Sequence, residues 1–287
     1  MEAPHEALFL VLAYLPLHQL LTMSQVSKTL HDAINSDVLV WLHLVVENPL
    51  NLRLTDDTLM RFASKAHGRL HTLALLNCFN ITDDCLIRVI NANLLLTKLY
   101  VPACTGLTPE IILAAAKTLT KLKQVKIDGI YNLKQEHLLE LTHYLPQTTS
   151  REPKFYHKFQ IRTFQRLEED RSSIDVEECP KCKEVKLVFD CPRETCTTMK
   201  RSVVACRGCS NCITRCEGCG KCISDEDDEE LGETICNDFL CLDCWLRLPK
   251  CSHCNKSYCP THLDQQLFHF SISRDFVCLS CEMKQSR

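Results

Sequence analysis

The sequence predicts a multidomain chain: a short α-helical segment, an α/β solenoid of about three and a half repeats, and a small irregular domain held by metal rather than by an apolar core. Three observations predict it. Apolar residues fall at helical spacing through the first 45 residues. A pattern of 26 to 27 residues recurs between positions 54 and 145. Of the 21 cysteines, 18 crowd between Cys179 and Cys281.

A chain of 287 residues has room for two or three domains. Charge is balanced: residues 1–150 hold 12 Lys+Arg against 13 Asp+Glu, and residues 151–287 hold 21 against 23. Neither half has the basic excess that draws a protein to nucleic acid or anionic lipid. No stretch reaches the apolar length of a membrane span. Export with disulfides is disfavoured. Glu2 and Glu6, not Lys or Arg, precede the first apolar run, and no small-x-small cleavage site follows it. The cysteines come mostly as Cys-x-x-Cys, which suits two thiolates on one metal. A reduced setting, nucleus and/or cytoplasm, is the expectation.

In the helical segment, residues 5–47, Leu8, Val11, Leu12 and Leu15 precede a Leu15-Pro16 break, and Leu20, Met23, Val26 and Leu30 follow it. Pro16 can start the second helix, since a first-turn N–H has no intrahelical partner. Asp37 can cap a third helix over Val38 to Val46, around Trp41. Three such helices carry more apolar surface than 45 residues can bury. They are either half of a core or a docking face.

Residues 50–145 repeat. Leu54-Thr55-Asp56-Asp57-x-Leu59 is followed by Leu70-x-x-Leu73-x-Leu75-x-x-Cys78, and Ile81-Thr82-Asp83-Asp84-x-Leu86 by Leu96-x-x-Leu99-x-Val101-x-x-Cys104. Leu107-Thr108-Pro109-Glu110-x-Ile112 leads to Leu122-x-x-Val125-x-Ile127-x-x-Ile130, and a fourth unit begins at Leu133 and stops near Leu145-Pro146. The starts at 54, 81, 107 and 133 are 27, 26 and 26 residues apart. The spacing predicts a short strand, a turn, and a helix opened by a Thr or Asp cap. Leu-x-Leu points into the core and the residues between face out on a concave side. The pattern resembles leucine-rich repeats, in particular the cysteine-containing kind of F-box proteins. Cys78, Cys85 and Cys104 are expected to be buried structural thiols.

Residues 146–178 read as a linker. Lys154, Phe155, Tyr156, His157, Lys158, Phe159, Arg162, Phe164 and Arg166 interleave aromatic and basic side chains, which can bind nucleic acid. Laying those aromatics on a neighbouring domain is the favoured reading.

Residues 179–284 form the cysteine-rich domain. The ligand pairs are Cys179/Cys182, Cys191/Cys196, Cys206/Cys209, Cys216/Cys219, Cys241/Cys244, Cys251/Cys254, Cys259/His262 and Cys278/Cys281. Eight pairs make about four tetrahedral Zn2+ sites, with Cys212, Cys222 and Cys236 left over. Zinc would replace the missing core. Spacing leaves the pairing open; Cys216/Cys219 with Cys241/Cys244, in an interleaved arrangement, is the first guess. The acidic run Asp225–Glu230 reads as a solvated loop. No nucleophile–base constellation is visible, and a site closed by four protein ligands offers no open position for catalysis.

Residues 7–41 resemble an F-box: Glu6-Ala7-Leu8, Val11-Leu12-Ala13-Tyr14-Leu15-Pro16, Leu20 through Lys28, then Trp41. Ala3-Pro4 stands where the family has Leu-Pro. With repeats behind it, the chain resembles plant F-box proteins of the SKIP group. That resemblance implies binding to the Skp adaptor, and through it cullin, by Leu8, Leu12, Leu15, Pro16, Leu20, Leu21, Val26 and Ser27. Trp41 and Leu44 are candidates for a seam onto the first repeat. The implied role is a non-catalytic substrate-recognition subunit of an SCF-type ubiquitin ligase, its target protein held by the repeats, the zinc domain or both. Two alternatives stand beside it: a single-chain RING-like zinc ubiquitin ligase, which the absence of a His before Cys241 argues against, and a zinc-based nucleic-acid or chromatin binder.

Overall fold

The computed structural model describes residues 11–146, 153–156, 164–198, 206–223, 234, 238–257, 277–278, 281 and 283–284. The chain divides into two compact units. One comprises 1–151, 162–178 and 184–186; the other comprises 152–161, 179–183 and 187–287.

Among the described residues of the first unit, helical Val11 and Leu12 are followed by two helices, α1 (Leu17–Met23) and α2 (Lys28–Ser36). Pro16 stands as the N-cap residue of α1, and the Ser27 hydroxyl accepts the Leu30 N–H to cap α2. The third helix expected over Val38 to Val46 does not form. A single 3-10 turn, Val38–Trp41, is opened by Asp37, whose Oδ1 accepts the Leu39 N–H at 2.9 Å. The chain then extends as β1 (His43–Val46). Val45 and Val46 are β-branched and suit a strand. A partner was available in β2 (Thr72–Leu75), with Leu44 beside Leu73 and Val46 beside Leu75. Tertiary pairing overrode the helical spacing.

Strands β3 (Lys98–Tyr100) and β4 (Gln124–Lys126) complete a parallel sheet in the order β1-β2-β3-β4. Leu73, Leu99 and Val125 lie side by side in register, so the repeating leucine position becomes a ladder across the sheet. The helices α3 (Asp56–Ser64), α4 (Asp83–Ala92), α5 (Pro109–Thr118) and α6 (Gln135–Tyr144) follow β1 to β4 in turn. Thr55 and Thr82 cap α3 and α4 through their hydroxyls. Each strand-to-helix loop after β2, β3 and β4 turns through a left-handed residue at the same repeat position: Asn77, Ala103 and Gly129. A Cβ on Gly129 would lie 3.1 Å from the Ala103 Cα, a tight contact that glycine avoids where the third loop closes on the second.

One apolar core runs from Leu12 through the sheet and helices to Val176. Trp41 joins the opening helices to it. Its indole N–H donates to the Ile34 carbonyl at 2.8 Å, its ring stacks on Phe62 at 5.8 Å, and the Lys65 ammonium lies 4.1 Å from the ring centroid. Cys78, Cys85 and Cys104 are buried. The Cys104 thiol donates to the Leu75 carbonyl at 3.0 Å, and burial pushes the Cys85 thiol up to about 12.

The other face of the sheet is covered, contrary to the open concave side expected. Helix α7 (Phe164–Glu169), from the stretch expected to be a linker, lies on it. Phe164 and Leu167 pack with Ala74, Leu76 and Tyr100, and Lys98 pairs with Glu168. Residues 164–176 form a strap over the sheet, and Lys126 is fully buried beneath it. Its ammonium donates to the Asp170 carboxylate at 2.8 Å, to the Asp170 and Ser172 carbonyls at 3.0 Å, and to the Ser172 hydroxyl at 3.1 Å. The strap then closes the free edge of β4. Ser173 O accepts the Val125 N–H at 2.7 Å, and the Asp175 carboxylate accepts the N–H groups of Ile127 and Asp128. A two-stranded ribbon follows, β5 (Glu177–Glu178) with β6 (Val185–Lys186).

The second unit has little regular structure among the described residues: α8 (Glu194–Thr198), α9 (Leu242–Arg247) and scattered single bridges. Its apolar clusters centre on cysteines. One is Cys179, Val188 and Cys209; another is Cys216, Leu240 and Cys241. Tyr156 packs edge-on against Phe189 and its hydroxyl donates to Glu217 at 2.9 Å.

Candidate metal centres and docking face

Sixteen cysteines converge in four tetrads. The first is Cys179, Cys182, Cys209 and Cys212. The second is Cys191, Cys196, Cys206 and Cys222. The third is Cys216, Cys219, Cys241 and Cys244, and the fourth is Cys251, Cys254, Cys278 and Cys281. Within each, all sulfurs lie within 4.8 Å of one another.

The separations fit a tetrahedral metal. Four sulfurs at about 2.3 Å from one zinc ion stand about 3.8 Å apart. The structure has Cys179–Cys212 at 4.0 Å, Cys182–Cys209 at 3.9 Å, Cys196–Cys222 at 3.8 Å, Cys219–Cys241 at 3.7 Å and Cys254–Cys278 at 3.8 Å. A disulfide would need about 2.05 Å, and every one of these cysteines is free. All-sulfur tetrads select zinc or iron–sulfur chemistry over hard cations.

In each tetrad the cysteine that comes first in the chain is prepared as a thiolate. Cys179 accepts the N–H of Cys209, Cys191 that of Cys222, Cys216 that of Gly218 and Cys251 that of Cys278, each at 3.4 Å. In the first, second and fourth, that donor belongs to a later ligand, which ties the two halves together. The electrostatic effect is large. Burial pushes Cys179 and Cys251 up, but the surrounding backbone N–H groups outweigh it and hold both at about 6. The Cys219 thiol and three backbone N–H groups, working against burial, bring Cys216 down to about 4. Cys191 is lowered as well, chiefly by the Cys206 and Cys222 thiols. Partners move the other way: Cys212, pushed up by the Cys209 thiol, and Cys244, pushed up by burial, both reach about 12. Four thiols in one pocket cannot all ionise without a cation.

The pairing differs from sequence expectation in two places. Cys206/Cys209 is not a ligand pair; Cys206 serves the second tetrad and Cys209 the first. Cys212 and Cys222, set aside as surplus, complete those same tetrads. The sequence carried the signal as two overlapping runs, Cys206-x-x-Cys209-x-x-Cys212 and Cys216-x-x-Cys219-x-x-Cys222. Each run offers two knuckles and can use only one. The fold takes Cys209/Cys212 and Cys216/Cys219, leaving the outer Cys206 and Cys222 to join Cys191 and Cys196. Cys216/Cys219 does close with Cys241/Cys244, interleaved with Cys222. The pairs Cys251/Cys254 and Cys278/Cys281 close with each other. Cys236, Cys259, His262 and the run Asp225–Glu230 lie outside the described residues.

The residues expected to dock the adaptor separate into two sets. Leu12 and Leu20 are buried in the chain's own core, each 2% exposed, so neither is offered to a partner. Leu15 and Leu21 are half-buried against that core, and Ser27 spends its hydroxyl on the α2 cap. Pro16 and Val26 are exposed, Val26 at 66%. Val11 and Tyr14 stand out beside them, Tyr14 at 86%. Leu8 lies outside the described residues. Among the described residues of this segment, Val11, Tyr14, Pro16 and Val26 are exposed apolar side chains, and Leu39 is another. The F-box resemblance named Leu12 and Leu20 for the adaptor; in the chain alone both side chains pack into its own core.

The F-box-like family model matches residues 4–47, and the model described as the At3g27290 F-box protein C-terminal domain matches residues 175–253. The chain is 42% identical over 265 residues to the F-box protein SKIP28 of Arabidopsis thaliana, covering 90% of this chain and 82% of that one. It is 36% identical over 256 residues to the F-box protein SKIP14 of the same plant, covering 86% of this chain and 55% of that one. A third relative, F-box protein At3g27290, is 31% identical over 254 residues, with 84% and 65% covered.

Proposed function

The chain belongs to the F-box protein family, and on that premise we propose that it is the substrate-recognition subunit of an SCF-type ubiquitin ligase. The exposed side chains Val11, Tyr14, Pro16 and Val26, all within the segment that the F-box-like family model matches, support this reading, because they leave apolar surface in water there. The Skp adaptor would cover it, each well-buried side chain contributing about 1.5–3 kcal/mol before ordering costs. Cullin would follow through the adaptor. The chain itself supplies no chemistry; holding a target near charged ubiquitin is catalysis by proximity.

We assign the stacked strand–helix units to the leucine-rich-repeat class. The support is the in-register ladder Leu73–Leu99–Val125 at the 26-residue period. The four tetrads bind zinc in this reading, on the strength of their all-thiolate donor sets and edge lengths. Since α7 occupies the sheet's open face, target recognition falls to the zinc-bound unit and the repeat rims rather than to that face.

The RING-like alternative would need Cys251/Cys254 to close with a pair between Cys219 and Cys241; they close with Cys278/Cys281. The nucleic-acid alternative loses Phe164 and Tyr156, which are engaged in packing.

The test is co-purification of the full chain with a Skp adaptor. Val26→Asp should abolish it while the melting temperature stays within a degree or two. Capture that survives Val26→Asp and Tyr14→Ala together would overturn the reading.

A further inference from the structure

The four tetrads are not equally shielded from solvent. Each has two buried cysteines, which in the first are Cys179 and Cys209. The other two members differ from tetrad to tetrad. In the first, Cys182 and Cys212 are both exposed; in the fourth, only Cys254 is; in the second and third, none of the eight cysteines is. The Cys182 and Cys212 sulfurs lie within 4.8 Å of each other. Cys182 stands 3.9 Å from Cys209, and Cys212 stands 4.0 Å from Cys179. Those inner partners are tied together from behind, since the Cys179 sulfur accepts the Cys209 N–H at 3.4 Å. The first tetrad thus has a fixed inner half and an outer half of two thiols open to water.

Oxidation of cysteine follows thiolate character and exposure. Metal ligation makes a thiolate of every sulfur in the tetrads alike, so exposure is what ranks them. An exposed thiolate with a second one in reach can pass from sulfenic acid to disulfide. We propose that Cys182 and Cys212 form an oxidation site, at which hydrogen peroxide turns the first zinc centre into a disulfide and expels the ion. The proposal rests on the zinc reading of the tetrads. With Cys182 as nucleophile, its sulfur attacks one peroxide oxygen, the O–O bond breaks, and the departing hydroxide takes up a proton to become water. The Cys212 thiolate then attacks the sulfenic sulfur and displaces a second hydroxide, which is protonated in turn. Two thiolates, one peroxide and two protons give one disulfide and two waters: the sulfurs lose two electrons and the peroxide gains them. Exchanging the roles of the two cysteines leaves the balance unchanged. The sulfurs must close to about 2.05 Å, a movement open to side chains at the surface. Cys179 and Cys209 remain as two ligands where four held the ion, and zinc leaves.

The full chain, loaded with zinc under reducing conditions and assayed for zinc by elemental analysis, is treated with hydrogen peroxide. Zinc release is followed with a chromogenic indicator, remaining thiols are alkylated, and disulfides are located by mass spectrometry. The expected result is that one equivalent leaves about tenfold faster than those of the second and third tetrads. A Cys182–Cys212 disulfide should appear with it, while the ligands of the second and third tetrads keep their thiols. The fourth tetrad, with one exposed cysteine, should follow at an intermediate rate. A thiol reductant with added zinc should restore the first centre. Cys182→His keeps a metal ligand and removes an exposed thiol, so it should hold the full zinc complement and lose the fast phase. Cys212→His should do the same, and gives the readout if Cys182→His does not fold. First release from any other tetrad, loss of all the zinc at one rate, a different first disulfide, or a fast phase that survives the substitutions would each overturn the proposal. A reduced parent chain that cannot be loaded with four zinc ions, one for each tetrad, overturns the zinc reading itself, and elemental analysis shows that before any oxidant is added.

Discussion

The Asp56 carboxylate accepts both donors of Thr82: Oδ1 takes the backbone N–H at 3.1 Å and Oδ2 takes the hydroxyl at 2.6 Å. Asp83 does the same for Thr108, at 3.0 and 2.6 Å. Each Thr opens a helix, and each Asp is the first residue of the helix before it. The Thr-Asp pair in the repeat thus serves two units: Thr caps its own helix, and Asp holds the next. Pro109 stands where the third Asp would be, and the chain of clasps stops there.

Asp83→Ala should therefore destabilise the first unit by about 1–2 kcal/mol, the worth of a charge-assisted cap. Glu110→Ala, one repeat on, has no such clasp to lose and should stay within about 0.5 kcal/mol. Urea unfolding of both variants followed by circular dichroism checks the contrast.

Lys126 is buried with its ammonium donating to Asp170 and Ser172 of the strap. Lys126→Met leaves Asp170 and two carbonyls without their donor and should cost about 3–5 kcal/mol. Protection from hydrogen exchange should fall first over residues 164–176, the segment that ammonium anchors. An unchanged exchange pattern there would mean the strap is held by its apolar contacts alone.

Acid should empty the metal centres. Against burial, backbone N–H groups hold the Cys179 and Cys251 thiols below an ordinary thiol, and the Cys219 thiol with three backbone N–H groups does the same for Cys216. A depressed thiol contributes stability that is whole above the unfolded value and is lost as pH falls through the folded one. Protons compete with metal for each sulfur, so zinc should be released and the second unit should unfold as pH falls. A zinc indicator and circular dichroism read along the same acid titration check that the two losses coincide.

Leu12 and Tyr14 are near neighbours with opposite duties. Leu12→Ala should lower stability by about 2–5 kcal/mol through the cavity it leaves. Tyr14→Ala should leave the melting curve alone and weaken adaptor capture at least tenfold. Melting and co-purification on the same two variants separate the roles.

The repeat was legible because a fixed period writes itself along the chain. Leu73, Leu99 and Val125 are aligned in sequence before they are aligned in space. The F-box was legible from Leu15-Pro16, Val26-Ser27-Lys28 and Trp41. What escaped was whatever depends on a distant partner. Val38 to Val46 has helical spacing, yet only Val38–Trp41 turns, and His43–Val46 became a strand because β2 stood beside it. Residues 164–176 have no period at all, and only the fold shows that they lie on Tyr100 and Lys126. Cys209 and Cys219 each had two equally spaced neighbours to choose from, and that choice is made in three dimensions.

The strap carries a practical lesson for anyone dissecting these proteins. A cut at the apparent end of the repeats, near Pro146, would strip the lid from an oily sheet and leave β4 with its hydrogen-bonding edge bare, an invitation to stick to other copies. Any exchange of tail regions between relatives should keep residues 164–176 with the host sheet, since that stretch is stitched to the partner it follows rather than to the cysteines it precedes.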